Sequence, residues 1–301
     1  MDHAGELEVV NNFAEILRAW YDAHGDCDSL DEAVGVGRRV ARHVSPDNRN
    51  RPMYLANLCR SLRTRYDVAG DEADLRKSLE FGREASASGN DAGVLSTVGA
   101  TLGMLYRHTG STEYLDEAVD VGRRAVAATA DGDPRKAVRL VNIASSLRAR
   151  GTAADLAEAA GHLRGSAAWP TGAVEIRVLA TIRLGDQSAE AGDAGLAMEG
   201  FGSAVRLLPL LAWRGLDHAD KEERLAEQVG LTGASASWAL NAGHPNQAVE
   251  PLDQGRSVLW TQLLDQRAEP AALAAVAPEL HRRLREVWES LDRADPGAER
   301  P

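Results

Sequence analysis

Residues Leu115 to Val126 read LDEAVDVGRRAV, and the chain carries this segment twice before: LDEAVGVGRRV from Leu30 to Val40 and LRKSLEFGREA from Leu75 to Ala85. Each copy stands at a fixed distance behind an earlier marker. Asn12, Asn57 and Thr97 are followed five residues later by Leu17, Leu62 and Leu102, and nine residues later by Tyr21, Tyr66 and Tyr106. Gly25, Gly70 and Gly110 come thirteen residues after the marker, and Leu30, Leu75 and Leu115 eighteen after it. Landmarks held in register three times define a repeat.

Leu, Tyr and Gly at steps of four place apolar groups on one helical face and end it at a helix-stopping glycine. This is helix A of the unit. Polar linkers follow, GDCDS, GDEAD and GSTEY, whose Asp, Ser and Thr side chains can accept from the free N–H groups of the next helix. Helix B carries apolar residues at i, i+3 and i+4, with Gly37, Gly82 or Gly122 seven residues after its leucine. A glycine inside a helix costs about 1 kcal/mol against alanine, so its recurrence predicts a close helix–helix approach there. Such a helix–turn–helix cannot bury its own apolar face and must stack on its neighbours.

The predicted fold is all-α: a right-handed superhelical solenoid of about six helix–turn–helix pairs plus a C-terminal helix. One repeat domain spans 1–295, with repeats at about 8–45, 50–88, 91–130, 134–168, 171–210 and 217–267. A closing amphipathic helix is expected over 271–291, and 296–301 reads as a linker or tail. In the fourth repeat Gly151 stands where tyrosine stood and Leu156 arrives four residues early. A four-residue deletion removes about one helical turn, so the apolar phase survives.

With 301 residues, 44% of them apolar, the chain can bury a large core. Its net charge of −11 argues against nucleic acid or an anionic membrane as partner. The N-terminal MDHAGELEVV lacks a signal-peptide pattern, and the longest apolar run, Leu207 to Trp213, is interrupted by Pro209 and too short to span a bilayer. Cys27 and Cys59 both fall inside repeats and read as free thiols of a reducing cytoplasm.

No HxxxH or CxxC pair and no GxxxxGK[ST] loop occurs, so neither a metal nor another cofactor is expected. Asp31–Glu32 and Asp116–Glu117 open helix B, where they favour the positive end of its dipole. With no nucleophile, base and oxyanion donor to assemble, the chain reads as a non-enzyme.

The helix pairs resemble tetratricopeptide (TPR) repeats, here 40–45 residues long. PDNRNRPMYLANLCRSLRTRY (46–66), YLDEAVDVGRRAV (114–126) and above all AVEPLDQGRSVLWTQLLDQR (248–267) resemble the repeat region of bacterial, actinobacterial-type CHAT-domain proteins. In that family the repeats precede a caspase-like peptidase, but the sequence stops at Pro301 before any such domain, and neither cysteine matches its nucleophile. The resemblance therefore implies a scaffold or recognition region that regulates an attached or associated CHAT peptidase. An alternative is a cytosolic sensor closing on a small ligand or signalling peptide.

In TPR arrays the A helices face the groove, and an asparagine at the Asn57 position bonds an extended peptide. Asn12, Asn57 and Asn142 match that position, and Thr97 departs from it. Three and six residues on, the same face carries Glu15 and Arg18, Arg60 and Arg63, and Ser145 and Arg148. Amides and guanidinia on one face suit peptide backbone and carboxylates. The peptide-groove candidates are thus Asn12, Arg18, Asn57, Arg60, Arg63, Asn142 and Arg148. Trp260 and Trp288 are candidate anchors where the end of the array meets a following domain.

Overall fold

The helices stop where the glycine and capping signals put their ends. The computed structural model describes residues 3–87, 89–211, 230–254 and 271–294, and these hold helices and connecting turns without a strand. The arrangement is the all-α one expected of a TPR-like solenoid. It comprises two compact units, Met1–Gly172 and Ala173–Pro301.

The first unit holds four pairs: α1 (His3–His24) with α2 (Cys27–His43), α3 (Arg51–Ala69) with α4 (Glu72–Ala87), α5 (Ala92–Thr109) with α6 (Glu113–Ala127), and α7 (Lys136–Arg150) with α8 (Ala153–Ala167). Gly25, Gly70 and Gly110 follow the A helices with φ near +70°, the left-handed conformation that glycine adopts without strain. Asp26, Asp91 and Thr152 cap α2, α5 and α8 through their side chains. In the shortened fourth repeat Gly151, at φ +77°, takes the role of Gly110 one turn early.

Each helix packs on the next. The A helices also neighbour one another, α1 on α3, α3 on α5 and α5 on α7, whereas the B helices of this unit have no comparable backbone contact among themselves. The unit therefore has a tight A layer and a looser B layer.

The recurrent B-helix glycine is where each repeat meets the next. A Cβ on Gly37 would lie 2.9 Å from Leu58 Cδ1, one on Gly82 2.9 Å from Val98 Cγ2, and one on Gly122 3.1 Å from Ile143 Cβ. Leu58, Val98 and Ile143 each directly follow the A-helix marker, so one knob-on-glycine contact joins repeats one to two, two to three and three to four. Around it Leu75, Leu95, Leu102 and Leu105 are fully buried, each contributing about 1.5–3 kcal/mol.

A small polar knot interrupts this core. The Cys59 thiol donates to the Ser78 carbonyl (3.0 Å), Ser78 Oγ donates to the Cys59 carbonyl (3.2 Å), and Ser78 Oγ is hydrogen-bonded to Thr101 Oγ1 at 3.0 Å.

In the second unit α9 (Val174–Glu190) and α10 (Ala194–Leu211) approach still more closely. A Cβ on Gly200 would sit 2.7 Å from Gly185 Cα and 2.9 Å from the Thr181 carbonyl, and Phe201 covers Gly185. α10 is long and apolar enough to cross a membrane. Here Ala197, Phe201, Val205 and Leu208 are buried in a cluster with Val178 and Leu231, the packing of a core helix. α11 (Leu231–Asn241) lies on α10, and Ala248, from the helical stretch 245–254, joins Ala236 and Ala239.

Residues 217–229, the first part of the expected sixth pair, lie outside the described residues, and α11 starts after Gly230, which takes φ +94°. One expectation needs correction. The closing helix expected over 271–291 is two helices, α12 (Ala271–Val276) and α13 (Pro278–Ala294). Pro278 lacks the N–H needed to continue a helix and fits the first position of a new one.

Packing at Gly200 is against backbone, which cannot rotate away. Gly200→Val is expected to destabilise the protein by about 3 kcal/mol or more. Gly161 has open space around its Cβ position, so Gly161→Ala should stabilise by about 0.5–1 kcal/mol. Chemical denaturation followed by circular dichroism checks both.

Candidate functional site

Repeats one and two bring most of the groove candidates together on the A layer. Asn57 Nδ2 donates to Asn11 Oδ1 at 3.3 Å. Arg60 donates to Glu15 Oε2 at 3.0 Å and to Asn57 Oδ1 at 3.1 Å. Arg18 meets Asp22 at 2.6 Å and stands 3.7 Å from Glu15. Asn12 itself is exposed, and its chain neighbour Asn11 makes the contact with Asn57.

Arg63 is different. It donates to the Thr97 carbonyl at 3.1 Å, linking α3 to α5. Its Nε is shielded from solvent without an acceptor, and among the described residues no carboxylate lies within ion-pair distance. Burial pulls its guanidinium below the usual arginine value, Arg60 and Arg18 act in the same direction, and Cys59 and the Asp67 carboxylate oppose it. The result is a cation with an unused Nε among Arg60, Arg18 and Asp67.

Asn142 and Arg148 lie apart from this cluster, on α7. Asn142 lines a small cleft with Leu95, Gly99, Ala118, Gly122 and Arg139, and Arg148 is half-buried. Trp260 lies outside the described residues. Trp288 belongs to α13, but its side chain is outside the described ones.

The sequence reading missed a second pattern. Arg65 binds Asp74 through two hydrogen bonds of 2.7 and 2.5 Å and reaches back to Asp31 of the preceding repeat at 3.1 Å. Arg150 does the same with Asp155 (2.9 and 2.5 Å) and Asp116 (3.2 Å). Both arginines come eight residues after the marker, and both inner aspartates directly precede the helix-B leucine. In repeat three these positions are Leu105 and Tyr114, an apolar pair packed in the core. This paired exchange of Arg/Asp for Leu/Tyr is the signal by which the bridge could have been found.

The arginine after each B-helix glycine makes a further link. Arg83 grips Glu117 (3.0 and 2.5 Å), Arg123 grips Glu158 (2.9 and 2.6 Å), and Arg38, facing a repeat with Lys77 in place of that glutamate, stands 3.7 Å from Asp74. Asp31, Asp116 and Glu117, at the start of helix B, thus serve as inter-repeat partners as well as helix-end charges.

Among the described residues no group of three or more His, Cys, Asp and Glu side chains is gathered as a metal site. Both cysteines are free thiols, Cys27 exposed and Cys59 buried. Burial pushes the Cys59 thiol up to about 12, against the opposing effect of its hydrogen bond with Ser78.

Among solved structures the fold is similar to a thermophilic TPR protein of Thermus thermophilus, at 18% identity, 77% of this chain, 99% of that one and a TM-score of 0.47. It is similar to BtubC from P. vanneervenii at 18% identity, with 78% and 90% coverage and a TM-score of 0.48. The corresponding values for the MamA protein are 14%, 69%, 92% and 0.45. These are likenesses of fold alone. No family model and no curated protein matches the chain.

Two outcomes follow from these environments. In the folded protein an aromatic disulfide reagent at neutral pH should titrate Cys27 rapidly and Cys59 only on denaturation, a difference that absorbance resolves in time. Arg150, with help from Thr152, holds the Asp155 carboxyl well below the usual carboxylate range, and Arg135 lowers Asp133 to about 2. Such groups stabilise fully above the unfolded carboxylate value, and the contribution is lost as pH falls through the folded one. Melting temperatures of wild type and Asp155→Asn should therefore differ at neutral pH and converge as pH falls below about 4.

Proposed function

We propose that the chain acts by binding, as a protein-recognition scaffold whose A layer receives an acidic or carboxylate-bearing peptide. The observation that carries this reading is Arg63, a half-buried guanidinium with an unused Nε and, among the described residues, no carboxylate within ion-pair distance, set near Arg60 and Arg18 with Asp67 one helical turn on. A guanidinium with free donors is suited to bidentate carboxylate binding, and partial burial strengthens the bond. Asn57, half-buried beside Arg60, adds an amide of the kind that reads peptide backbone. The bonds among Asn11, Asn57, Glu15 and Arg60 hold these donors in place before a ligand arrives, which lowers the entropic cost of binding.

The finer reading rests on the likeness of segments 46–66, 114–126 and 248–267 to the repeat regions of bacterial CHAT-domain proteins. On that likeness the partner is an attached or associated caspase-like peptidase, and the scaffold regulates it. A buried free thiol at Cys59 fits a reducing compartment and supports a cytoplasmic location.

A random-peptide display selected on the intact chain and on Arg63→Met tests the groove. The wild type should enrich peptides with acidic residues or a free C-terminal carboxylate, and the variant should lose that enrichment while its melting temperature holds. Equal enrichment by both proteins would remove Arg63, and with it this groove, from consideration.

A further inference from the structure

The first helix carries an apolar stripe that, among the described residues, no other helix covers; only His24 of the same helix stacks on its last member, Trp20. Val9, Phe13, Ile16 and Trp20 follow one another by four, three and four residues, so they share a face of α1. All four are exposed. The counterparts of Val9, Phe13 and Ile16 in the next three repeats are buried. Phe13 directly follows its marker, as Leu58, Val98 and Ile143 follow theirs; Phe13 is 44% exposed, whereas those three are 1–2% exposed. Val9 corresponds to Tyr54, Val94 and Arg139, and Val10 to Leu55, Leu95 and Leu140, all of them buried.

What covers the counterparts is known from three contacts. Leu58, Val98 and Ile143 each sit on a B-helix glycine, Gly37, Gly82 or Gly122. The residue after each glycine is Arg38, Arg83 or Arg123. Two of these arginines form two-bonded ion pairs with the glutamate two residues after the next helix-B leucine, Glu117 and Glu158. The same position in the first repeat is Glu32, exposed at the start of α2 and, among the described residues, without an ion-pair partner. One end of the array thus presents both halves of the repeat-to-repeat interface, an apolar knob without its glycine and a glutamate without its arginine.

We infer that the α1 face with Glu32 is a docking surface for an amphipathic helix of the chain's own B type, with a Gly–Arg pair that sets glycine over Phe13 and arginine on Glu32. The glycine lets the helix approach Phe13 as closely as α2, α4 and α6 approach their knobs. The adjacent arginine fixes its direction and register, since only one orientation brings both contacts together. Ile16 stands where later repeats bury Ser61, Thr101 and Ser146, so this end rewards an apolar partner more than the internal junctions do. This surface is separate from the Arg63 site and does not depend on it.

The probe is a fluorescein-labelled peptide with the sequence of Glu113–Ala127, which holds Gly122 and Arg123. An isolated helix of this length is marginal in water, so it is stapled across positions 120 and 124. Titrated with the intact chain, it should give saturable anisotropy. Phe13→Asp in the protein, or Gly122→Leu in the peptide, should weaken binding at least tenfold. Glu32→Arg should weaken it several-fold, and Arg123→Glu in the peptide should restore it against that variant. Because Phe13 and Glu32 are exposed, these protein variants should keep the wild-type melting temperature. Absence of binding, or binding indifferent to Gly122→Leu and to the charge swap, overturns the proposal. Sedimentation showing a concentration-dependent dimer that Phe13→Asp abolishes would also overturn it, because the face would then be covered by a second copy.

Discussion

Leu58, Val98 and Ile143 each rest on a spot where the preceding helix has no side chain. The rest of the first unit depends on that approach. Glycine weakens a helix, yet it stands in the middle of α2, α4 and α6, because a Cβ there would drive neighbouring helices apart. Widening one junction would also lengthen the ion pairs that cross it. A bound of a few tenths of an ångström in the core therefore governs the charged contacts at the surface.

The two layers follow from the same contact. A helices neighbour each other and share buried or half-buried polar groups, so Asn57, Arg60 and Arg63 are held by partners on adjacent repeats. B helices are farther apart and meet through long arginine and glutamate side chains. Exposed ion pairs contribute little individually. The Arg65 and Arg150 bridges differ because their inner aspartates are buried and bound through two hydrogen bonds, so breaking either would strand a charge. The proposed recognition site lies on the layer where donors are pre-positioned, and the B layer maintains spacing.

Much of this architecture is legible in the sequence because it rests on local chemistry. Glycines at the ends of A helices adopt the left-handed conformation, linker acids and threonine cap the following helices, and the glycines at 37, 82 and 122 mark close approaches. What sequence periodicity does not give is the phase between one helix and the next. That is why Asn12, in register with Asn57, is exposed while Asn11 makes the contact. It is also why the bridging of two repeats by Arg65 and by Arg150 escapes a reading of single helices. At the C-terminal end the apolar pattern of 271–291 runs on across Pro278, so periodicity alone joins two helices that one missing N–H separates.

The Cys59–Ser78–Thr101 knot has a consequence for assembly. Chains of near-identical units risk stacking the wrong pair while they fold. Ser78 occupies a position held by Ala33, Ala118 and Ala159 in the other repeats of the unit, and Cys59 one held by Ala14, Gly99 and Ala144. If α4 docked against α1 in place of α5, Ile16 would stand where Thr101 stands and the Ser78 hydroxyl would lose that partner, whereas Ser146 of α7 could still answer it. One hydroxyl thus sorts the first helix from the later ones, much as a lone polar residue sets the alignment of a coiled coil.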